Sequence, residues 1–474
     1  MSRPSDTPVQ DPYDEAFAAP DVPRAHYAAL LDALGGVDLA ALRDAVNDRV
    51  ARDGVTFTTG NGEEAFVLDP VPRILPAAEW AGLAAGLAQR TRALNAFVLD
   101  AYGERRIVAA GLISDEVIDS AEGYEPELRG VYPSTVPPIG VAGLDIVRAP
   151  DGALRVLEDN VRMPSGFTYA VAARRAVEPA LPPGVPEPMA GPELVYEMLA
   201  GVLAAAAPDR GGEGATVVLS DGPGGGAYYE HAEAARRLGV PIVTPADLER
   251  RGERLSVRLD DDGGRRPVHV IYRRCNEGRV RDEQGALTPV AEKLLAPWLA
   301  GNVAIVNGFG TGVADDKLVH AHVEDMVRFY LDAEPLLAAV PTLTLGDPDA
   351  VEAVLDDLRA YVVKPRFGHG GAGVVVCAHA EEPALEQVRR DLGADPGQFV
   401  AQPLVALSSH PTVVDGGRLE PRHVDLRPFV FCAGEKIGSV PGGLTRVAWD
   451  AGALVVNSSQ SGGAKDTWVL KPIS

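Results

Sequence analysis

The residues best suited to bind a nucleotide lie at 361–375, YVVKPRFGHGGAGVV, where an apolar run ends in Lys364 and a second apolar run follows a loop. The loop carries four glycines, Gly368, Gly370, Gly371 and Gly373. Glycines let a backbone pack closely over phosphates and point N–H groups at them, and the lysine supplies a positive charge. The order is not that of a P-loop, so we predict a hairpin lid over a triphosphate. A glycine-rich turn without a ligand is the alternative.

A second polar cluster lies far upstream of this loop, within RVLEDNVRMPSG at 155–166. Residues 158–162 place two carboxylates, an amide and a guanidinium directly after an apolar run. The preceding segment, VAGLDIVRAPDGALRVLEDN, contains two short apolar runs joined by Pro-Asp-Gly, which predicts a β-hairpin. Its two strands would carry Asp145 and Glu158 at neighbouring positions.

Three segments near the C-terminus add further candidates. FVAQPLVAL at 399–407 predicts a strand whose exit is suited to act as a hinge against an adenine edge. Arg427 lies mid-strand beside Asp425 and needs an anionic partner if it is buried, and structural pairing with Asp425 or Asp450 is the alternative to a phosphate. NSSQSGGAKD at 457–466 offers hydroxyls, amides and backbone donors, which suits a polyphosphate or an acyl group.

Composition limits the classes of protein that this chain can be. It has 474 residues, 46% of them hydrophobic and 23% charged, which is typical of a globular enzyme with two or three domains. The net charge of −23 argues against binding to nucleic acid or to an anionic membrane surface. No apolar run is long enough to span a membrane. Three scattered cysteines and a polar, acidic start favour a cytoplasmic protein.

Hydrophobic spacing divides the chain into regions. We expect a disordered arm at 1–20, a helical region at 21–135, the hairpin strands within 136–180, an α/β region at 190–300 and a last region at 301–474. The α/β region is predicted from ATVVLSDGPGGGAYYEHAEAARRLGVPIVTP, which has the pattern of a βαβ unit. Tyr228, Glu230 and His231 are placed to line a cleft there, although such a histidine is more often an ordinary surface or core residue.

Taken together, these motifs resemble the circularly permuted ATP-grasp family, type 2, which is related to the synthetase domain of glutathionylspermidine synthetase. The resemblance rests on VLEDNVRMPSG, NGFGTGVADDK, VVKPRFGHGGAGVV, LSSHPTVVDGGRLEPRHVDLRPFV, PGGLTRVA and VNSSQSGGAKDTWVL, which follow one another in family order. It implies a mixed α/β fold: a permuted ATP-grasp core with a helical N-terminal region and an inserted α/β substrate domain. Region 301–474 is then the nucleotide-binding part.

The resemblance also explains the upstream polar cluster. In the unpermuted order, the strand pair that carries the metal-binding acids comes last, whereas permutation moves it to the front. Asp145, Glu158 and Asn160 then match the Mg²⁺ ligands of the family, and carboxylates ionised at neutral pH are suited to that role. Arg162 matches a basic residue that follows the metal motif and is assigned to catalysis.

The same resemblance assigns the ATP-binding residues. Lys317 and Lys364 match the ATP-binding lysines, the four glycines form the lid, and Gln402 and Leu404 match the hinge. Arg427 matches the basic residue near the γ-phosphate, with a catalytic role that it shares with Lys364. Asn457 and Lys465 fall in the matching phosphate or acyl loop. Pro403 and His369 depart from the common pattern.

The function implied is an ADP-forming, ATP-dependent carboxylate–amine ligase that acts through an acyl phosphate on a small molecule or peptide. Two alternatives stay open: a phosphotransferase on the same fold, and a nucleotide-binding partner subunit without ligase activity. The expected cofactors are ATP and Mg²⁺. A homo-oligomer or a partner enzyme is possible on this interpretation, and nucleic acid and membrane are not expected partners.

Overall fold

The computed structural model describes residues 11–59, 62–133, 136–208, 214–259, 264–275, 278–368, 372–453 and 462–471. The helices are α1 (Ala28–Leu34), α2 (Leu39–Arg52), α3 (Ala77–Tyr102), α4 (Arg106–Ala109), α5 (Asp115–Asp119), α6 (Phe167–Val177), α7 (Leu194–Ala206), α8 (Tyr228–Leu238), α9 (Pro289–Leu299), α10 (Lys317–His320), α11 (Val323–Leu331), α12 (Pro348–Asp356) and α13 (Glu382–Ala394).

The strands are β1 (Phe17–Ala19), β2 (Val22–Pro23), β3 (Thr56–Thr59), β4 (Gly62–Ala65), β5 (Leu68–Leu75), β6 (Val141–Arg148), β7 (Leu154–Asn160), β8 (Ala215–Ser220), β9 (Ile242–Val243), β10 (Leu248–Arg251), β11 (Arg254–Arg258), β12 (Arg265–Arg274), β13 (Ala304–Val306), β14 (Leu343–Thr344), β15 (Tyr361–Pro365), β16 (Val375–Val376), β17 (Phe399–Pro403), β18 (Ser409–Val414), β19 (Arg418–Arg427), β20 (Phe429–Ala433), β21 (Lys436–Ser439), β22 (Leu444–Ala448) and β23 (Gly462–Val469).

A nine-stranded sheet forms the centre of the molecule. Its order is β21-β20-β6-β19-β22-β23-β5, with β7 paired to β6 and β18 paired to β19. The upstream hairpin β6–β7 therefore shares one sheet with β19, β22 and β23 from the end of the chain, which is the arrangement that a permuted core predicts. Long α3 packs against this sheet and buries Leu87, Leu94 and Phe97.

Two smaller sheets flank the central one. The α/β region forms a sheet in which β9, β8, β12 and β13 run parallel, with α8 between β8 and β9 as the βαβ pattern predicts. Strand β13 extends this sheet beyond residue 300. The second small sheet has the order β14-β17-β15-β16 and carries the glycine-rich hairpin between antiparallel β15 and β16.

The N-terminal arm is a correction to the sequence prediction. Within residues 11–20, Glu15 and Ala16 are buried, and Glu15 is 2% exposed and pairs with Arg73 and with Arg148, the latter at 3.0 Å. Two buried guanidinium groups need a carboxylate, and Glu15 supplies it. Composition alone could not show this pairing, because both arginines are distant in sequence. Residues 1–10 lie outside the described part of the chain.

The region 21–135 is not only helical, which is a second correction. Strand β5 is buried along its whole length and forms an edge of the central sheet. Its sequence, LDPVPRIL, contains two prolines, which cannot donate to a ladder and are tolerated on edge strands. The prolines therefore hid the strand. Hairpin β3–β4 was also not predicted.

Two predictions based on composition can be compared with the described residues. Cys275, Cys377 and Cys432 are all buried, as expected, and none of the three forms a disulfide. Within the described ranges, no helix has both the length and the apolar character that a membrane crossing requires.

Candidate active site

A cavity of about 460 Å³ lies between the central sheet, the small β14-β17-β15-β16 sheet, helix α6 and the loop before α8. It brings together nine of the residues selected from the sequence: Asp145, Glu158, Asn160, Lys317, Lys364, Gly368, Gln402, Leu404 and Arg427. Its volume falls in the range of small-molecule sites, about 300–1,000 Å³. These residues come from both ends of the chain, so the site exists only in the folded protein.

Strand register sets the order of the charged groups on the floor of the cavity. Glu158 of β7 lies directly opposite Asp145 of β6, as the hairpin predicts. Across the other edge of β6, the pairing of Leu426 with Ile146 places Arg427 beside Asp145. Side chains in directly opposite positions have Cβ atoms about 4.5–5.5 Å apart. Strand pairing alone therefore places two acids and an arginine side by side in one row, here termed the charged row.

Asp145 is the most heavily paired group in this row. Arg427 donates to its two carboxylate oxygens at 2.6 and 2.8 Å, and Arg446 lies 2.9 Å from Oδ2. Burial raises the pKa of Asp145, but the two guanidinium groups outweigh it and lower the pKa to about 2. The partner of Arg427 is thus Asp145, while Asp425 pairs with Arg446 at 2.9 and 3.0 Å.

Two lysines face these acids from the opposite side of the cavity. Lys317, at the start of α10, has its Nζ 3.7 Å from Glu158 and donates to the Gly368 carbonyl at 3.1 Å. Lys364 is the next-to-last residue of β15 and is half-buried. The pKa of Lys364 is lowered to about 8. Burial is the main cause and the charge of Lys317 adds to it, whereas Glu158 and Asp145 oppose the shift. The free protein therefore holds a cation here that titrates close to physiological pH.

We expect ATP affinity to fall by about tenfold between pH 7 and pH 9, because a lysine with a pKa near 8 is about nine-tenths deprotonated at pH 9. Titration calorimetry across this range measures the effect. The Lys364→Arg variant keeps its charge at every pH tested and should give a flat profile, whatever its absolute affinity. An affinity that does not vary with pH in the unmodified protein would contradict the prediction.

The end of the cavity where the hinge was predicted is formed by the small sheet and by an adjacent apolar cluster. Gln402 donates to the hydroxyl of Thr342 at 2.9 Å and to the carbonyl of Leu157 at 3.3 Å. Its Oε1 is buried and has no hydrogen-bond partner among the described residues. Leu404 lines the same end, and its backbone N–H donates to the Ala360 carbonyl at 2.8 Å, so this N–H is already occupied.

Buried groups behind β7 hold residues 158–160 in place. Asp159, between Glu158 and Asn160, faces away from the cavity and accepts from Arg90 at 2.7 and 2.7 Å and from His320 at 2.6 Å. Burial raises the pKa of Asp159, but the charges of Arg90 and His320 lower it well below its usual value. This three-residue network fixes which face of β7 carries Glu158.

Asp315 is a functional candidate that the sequence analysis missed. Its Oδ1 accepts from the backbone N–H groups of Val161 and Arg162 at 2.5 and 3.0 Å, directly after the metal motif. The pKa of Asp315 is raised to about 7. Burial is the main cause and Glu158 adds to it, whereas Arg162 and the two backbone hydrogen bonds oppose the shift. The VADDK segment contains two adjacent acids, and nothing in it showed which of them would turn toward β7.

Some of the residues selected from the sequence lie elsewhere. Arg162 runs between Gly278 and Gly312 beside Asp315, behind the cavity rather than in its lining. Gly373 has a φ of +74°, and a side chain there would meet the ring of Pro365, so it shapes the lid hairpin.

Lys465 is a clear correction, because it is fully buried in an ion pair with Asp69. It also donates to the Pro411 carbonyl at 3.2 Å, away from the cavity. Gly370, Gly371, His369 and Asn457 lie outside the described residues.

Residues predicted to line a cleft in the α/β region are also structural. Glu230 is buried and accepts from the backbone N–H groups of Gly166 and Thr168 at the start of α6. His231 is within 3.1 Å of the Ser220 hydroxyl, and burial lowers its pKa to about 2. It is therefore a neutral core histidine, which agrees with the ordinary interpretation.

The predicted Mg²⁺ ligands can be tested against this geometry. The Asn160 side-chain nitrogen is buried without a partner among the described residues, and Glu158 has only the long contact to Lys317. The carboxylate of Glu158 therefore has ligating capacity to spare, whereas Asn160 would ligate through its amide oxygen and not through this nitrogen, which is a donor. Asp145 is committed to two arginines, and no cluster of three or more His, Cys, Asp or Glu residues able to hold a metal occurs within the described ranges. This set fits Mg²⁺ that completes its shell with phosphate oxygens and water, not a closed protein cage.

Together, the central sheet, the small sheet with its glycine-rich hairpin and the cavity between them define a fold of the grasp type. The chain belongs to the circularly permuted ATP-grasp family, type 2, whose sequence model matches residues 72–448. A glutathione synthetase-like effector from Globodera pallida, solved in its apo form, covers 91% of this chain and 97% of its own with a TM-score of 0.55. At 12% identity, this likeness shows the fold alone.

Two relatives align with nearly the whole of this chain. A putative glutamate–cysteine ligase from Frankia alni is 43% identical over 469 residues, which are 96% of this chain and 54% of that protein. An uncharacterized protein from Synechocystis is 37% identical over 470 residues, 97% of each chain. The chain spans about half the length of the first of these relatives.

Proposed function

We propose that this protein is an ADP-forming, ATP-dependent carboxylate–amine ligase that acts on a small molecule or peptide. The observation that carries the proposal is a single cavity in which Lys317 and Lys364 face the row Glu158, Asp145 and Arg427. Fixed cations and acids around a polyphosphate suit phosphoryl transfer, in which catalysis consists mainly of positioning and charge stabilisation.

The reaction has two steps. A carboxylate oxygen of the substrate attacks the γ-phosphorus of ATP, the bond to the β-phosphate oxygen breaks, and ADP leaves. The nitrogen of an amine then attacks the acyl carbon of the resulting acyl phosphate. The C–O bond to phosphate breaks, and the proton lost from the nitrogen leaves with the phosphate. No protein nucleophile is needed, which agrees with a cavity whose lining contains no cysteine or histidine among the described residues.

In this scheme the residues have separate roles. Lys364 and Lys317 hold phosphate oxygens, and the lid hairpin around Gly368 covers them. Glu158 and Asn160 would hold Mg²⁺, with Asp145 beside them, and the ion would offset negative charge on the phosphates. Arg427 keeps one side of its guanidinium toward the cavity, where the transferred phosphoryl group develops charge.

The name of the Frankia relative does not by itself give the substrate. This chain matches 54% of that protein, so glutamate–cysteine ligase activity can reside in the other half. The Synechocystis relative matches along 97% of its length, and its name states no activity. Substrate identity therefore has to come from the cavity and from experiment.

Oxygen labelling tests the acyl phosphate directly. A substrate acid with ¹⁸O in its carboxylate should transfer one labelled oxygen to the released phosphate in each turnover, with ADP as the other product. Mass analysis of the phosphate measures this transfer. Hydroxylamine can replace the unknown amine, because it converts an acyl phosphate to a hydroxamate.

The same experiment separates the alternatives. Phosphate that stays on the product would indicate a phosphotransferase. AMP with pyrophosphate would contradict the acyl-phosphate route. ATP binding without turnover on any acid would favour a nucleotide-binding partner subunit.

A further inference from the structure

The cavity has two apolar ends on opposite sides of the charged row formed by Glu158, Asp145 and Arg427. Only one of these ends adjoins the small β14-β17-β15-β16 sheet. We propose that the other end binds the apolar side group of the acid substrate, so that the substrate is a monocarboxylic acid with an aromatic or branched aliphatic group close to its carboxylate. This inference rests on the proposed function and assigns the substrate class of the same site.

Strand β22 shows the order of the three parts. Leu444, Arg446 and Ala448 alternate with the strand period and therefore share one face. Leu444 belongs to a buried cluster with Phe66, and Ala448 belongs to a different cluster with Val147. Arg446 lies between them and pairs with Asp145 and Asp425. The charged row is thus about one side chain wide, with apolar surface on both sides.

The cluster around Ala448 is the nucleotide side. It contains Val340 and Leu407, with Leu157 and Val405 packed against it, and these residues adjoin β17 and its exit. Gln402 and Leu404 line the cavity at the same end. The base of ATP and the apolar group of the acid therefore do not compete for one surface.

The opposite end, here termed the aromatic end, is lined by Phe57, Phe66, Met163, Tyr169, Ala227 and Leu444. The rings of Phe66 and Tyr169 pack with centroids 5.0 Å apart. Phe57 is half-buried on β3, and the backbone N–H of the next residue donates to the Gly226 carbonyl at 2.9 Å. Hairpin β3–β4, helix α6 and the loop before α8 thus form one apolar surface with adjoining aromatic rings.

Polar groups at the aromatic end already have partners. The Tyr169 hydroxyl donates to the Thr56 carbonyl at 2.9 Å, and the Ser165 hydroxyl accepts from Arg274 at 2.5 Å. None of the described residues that line this end is a cation. A second carboxylate or an ammonium group would lose its water there without gaining a partner, which is costly. The aromatic end therefore disfavours glutamate as the acid substrate.

Register also limits how far the apolar group can be from the reacting carboxylate. Leu444 lies directly opposite Arg427 on the neighbouring strand. Directly opposite Cβ atoms are about 4.5–5.5 Å apart. A carboxylate held next to Arg427 therefore has the aromatic end within a few bonds of its carboxyl carbon, which fits arylacetic and short branched acids.

The test measures hydroxamate and ADP formation with hydroxylamine and a panel of acids: phenylacetate, 3-phenylpropionate, isovalerate, acetate and glutamate. We expect kcat/KM for phenylacetate to exceed that for acetate and for glutamate by at least about tenfold, since burial of even one methylene is worth about that much in an apolar pocket. Hydroxamate from glutamate in preference to the apolar acids would overturn the inference and leave the proposed function intact. Hydroxamate from no acid would overturn both.

Variants locate the effect. Phe57→Ala should raise KM for phenylacetate by about tenfold and leave KM for ATP unchanged, whereas Phe57→Leu should retain most of the activity on isovalerate. Phe329→Ala, on α11 and outside the cavity, is the matched control for loss of an aromatic ring. An unchanged KM for phenylacetate in Phe57→Ala, or a change in the KM for ATP instead, would contradict the assignment of this end.

Discussion

The Glu158→Gln variant is expected to lose ligase turnover by about a hundredfold or more while it remains folded. Glu158 is directly opposite Asp145, 3.7 Å from Lys317, and has ligating capacity to spare. An amide of the same size keeps the shape of the site but removes the negative charge that would hold Mg²⁺ against the phosphates. Loss of one well-placed electrostatic group typically costs about 10²–10³ in kcat.

The measurement is ADP release under saturating ATP, titrated with Mg²⁺. The variant should require a higher Mg²⁺ concentration for half-maximal rate, which a purely structural defect would not produce. Glu386→Gln makes the same chemical change at an exposed position of α13. It serves as the control and should behave like the unmodified protein. A normal rate with normal Mg²⁺ dependence in Glu158→Gln would remove Glu158 from the metal site.

Local patterns in the sequence were enough for much of the site. The Pro-Asp-Gly turn and the alternation of β6 and β7 predict the neighbouring positions of Asp145 and Glu158, because register follows from the hairpin. The apolar runs on either side of the glycine loop likewise predict the β15–β16 hairpin with Lys364 at the end of a strand. These features depend on residues that are close in sequence.

Features that depend on distant residues could not be predicted in this way. Arg427 was considered beside Asp425, its neighbour in sequence, yet its partner is Asp145 on another strand. The aromatic end of the cavity is assembled from β3, α6, the loop before α8 and β22, and no single segment shows this pattern. Long-range pairing depends on the order of strands in the sheet. In this permuted chain, β6 lies between β20 and β19, which are distant from it in sequence.

Lys465 shows how a motif can mislead. It lies in a loop-like segment rich in small polar residues, which suggested a phosphate ligand. In the structure it belongs to β23 and is opposite Thr445, and its parallel neighbour on β5 is Asp69. Both charged side chains are 0% exposed. The pair is a structural element of the central sheet. Loss of Lys465 should therefore lower the stability of the fold and not the affinity for a nucleotide.

The Lys465→Met variant is expected to lose about 3–5 kcal/mol of unfolding free energy, because it leaves the carboxylate of Asp69 buried without its cation. Burial lowers the pKa of Lys465, and Asp69 partly offsets this shift. The attraction between the two charges thus offsets part of the cost of removing them from water. The ATP affinity of the variant at low temperature should stay within about threefold of normal, since Lys465 lies away from the cavity. Denaturant titration and calorimetry measure the two quantities separately.

A double substitution tests the cause. Asp69 also accepts from the backbone N–H groups of Val71 and Val413, at 3.0 and 2.6 Å. Lys465→Met with Asp69→Asn removes both charges but keeps an oxygen acceptor for the backbone, so it should recover part of the lost stability. A double-mutant cycle gives the coupling energy between the two side chains. Normal stability with ATP affinity weakened tenfold or more in Lys465→Met would instead restore the lysine to the nucleotide site.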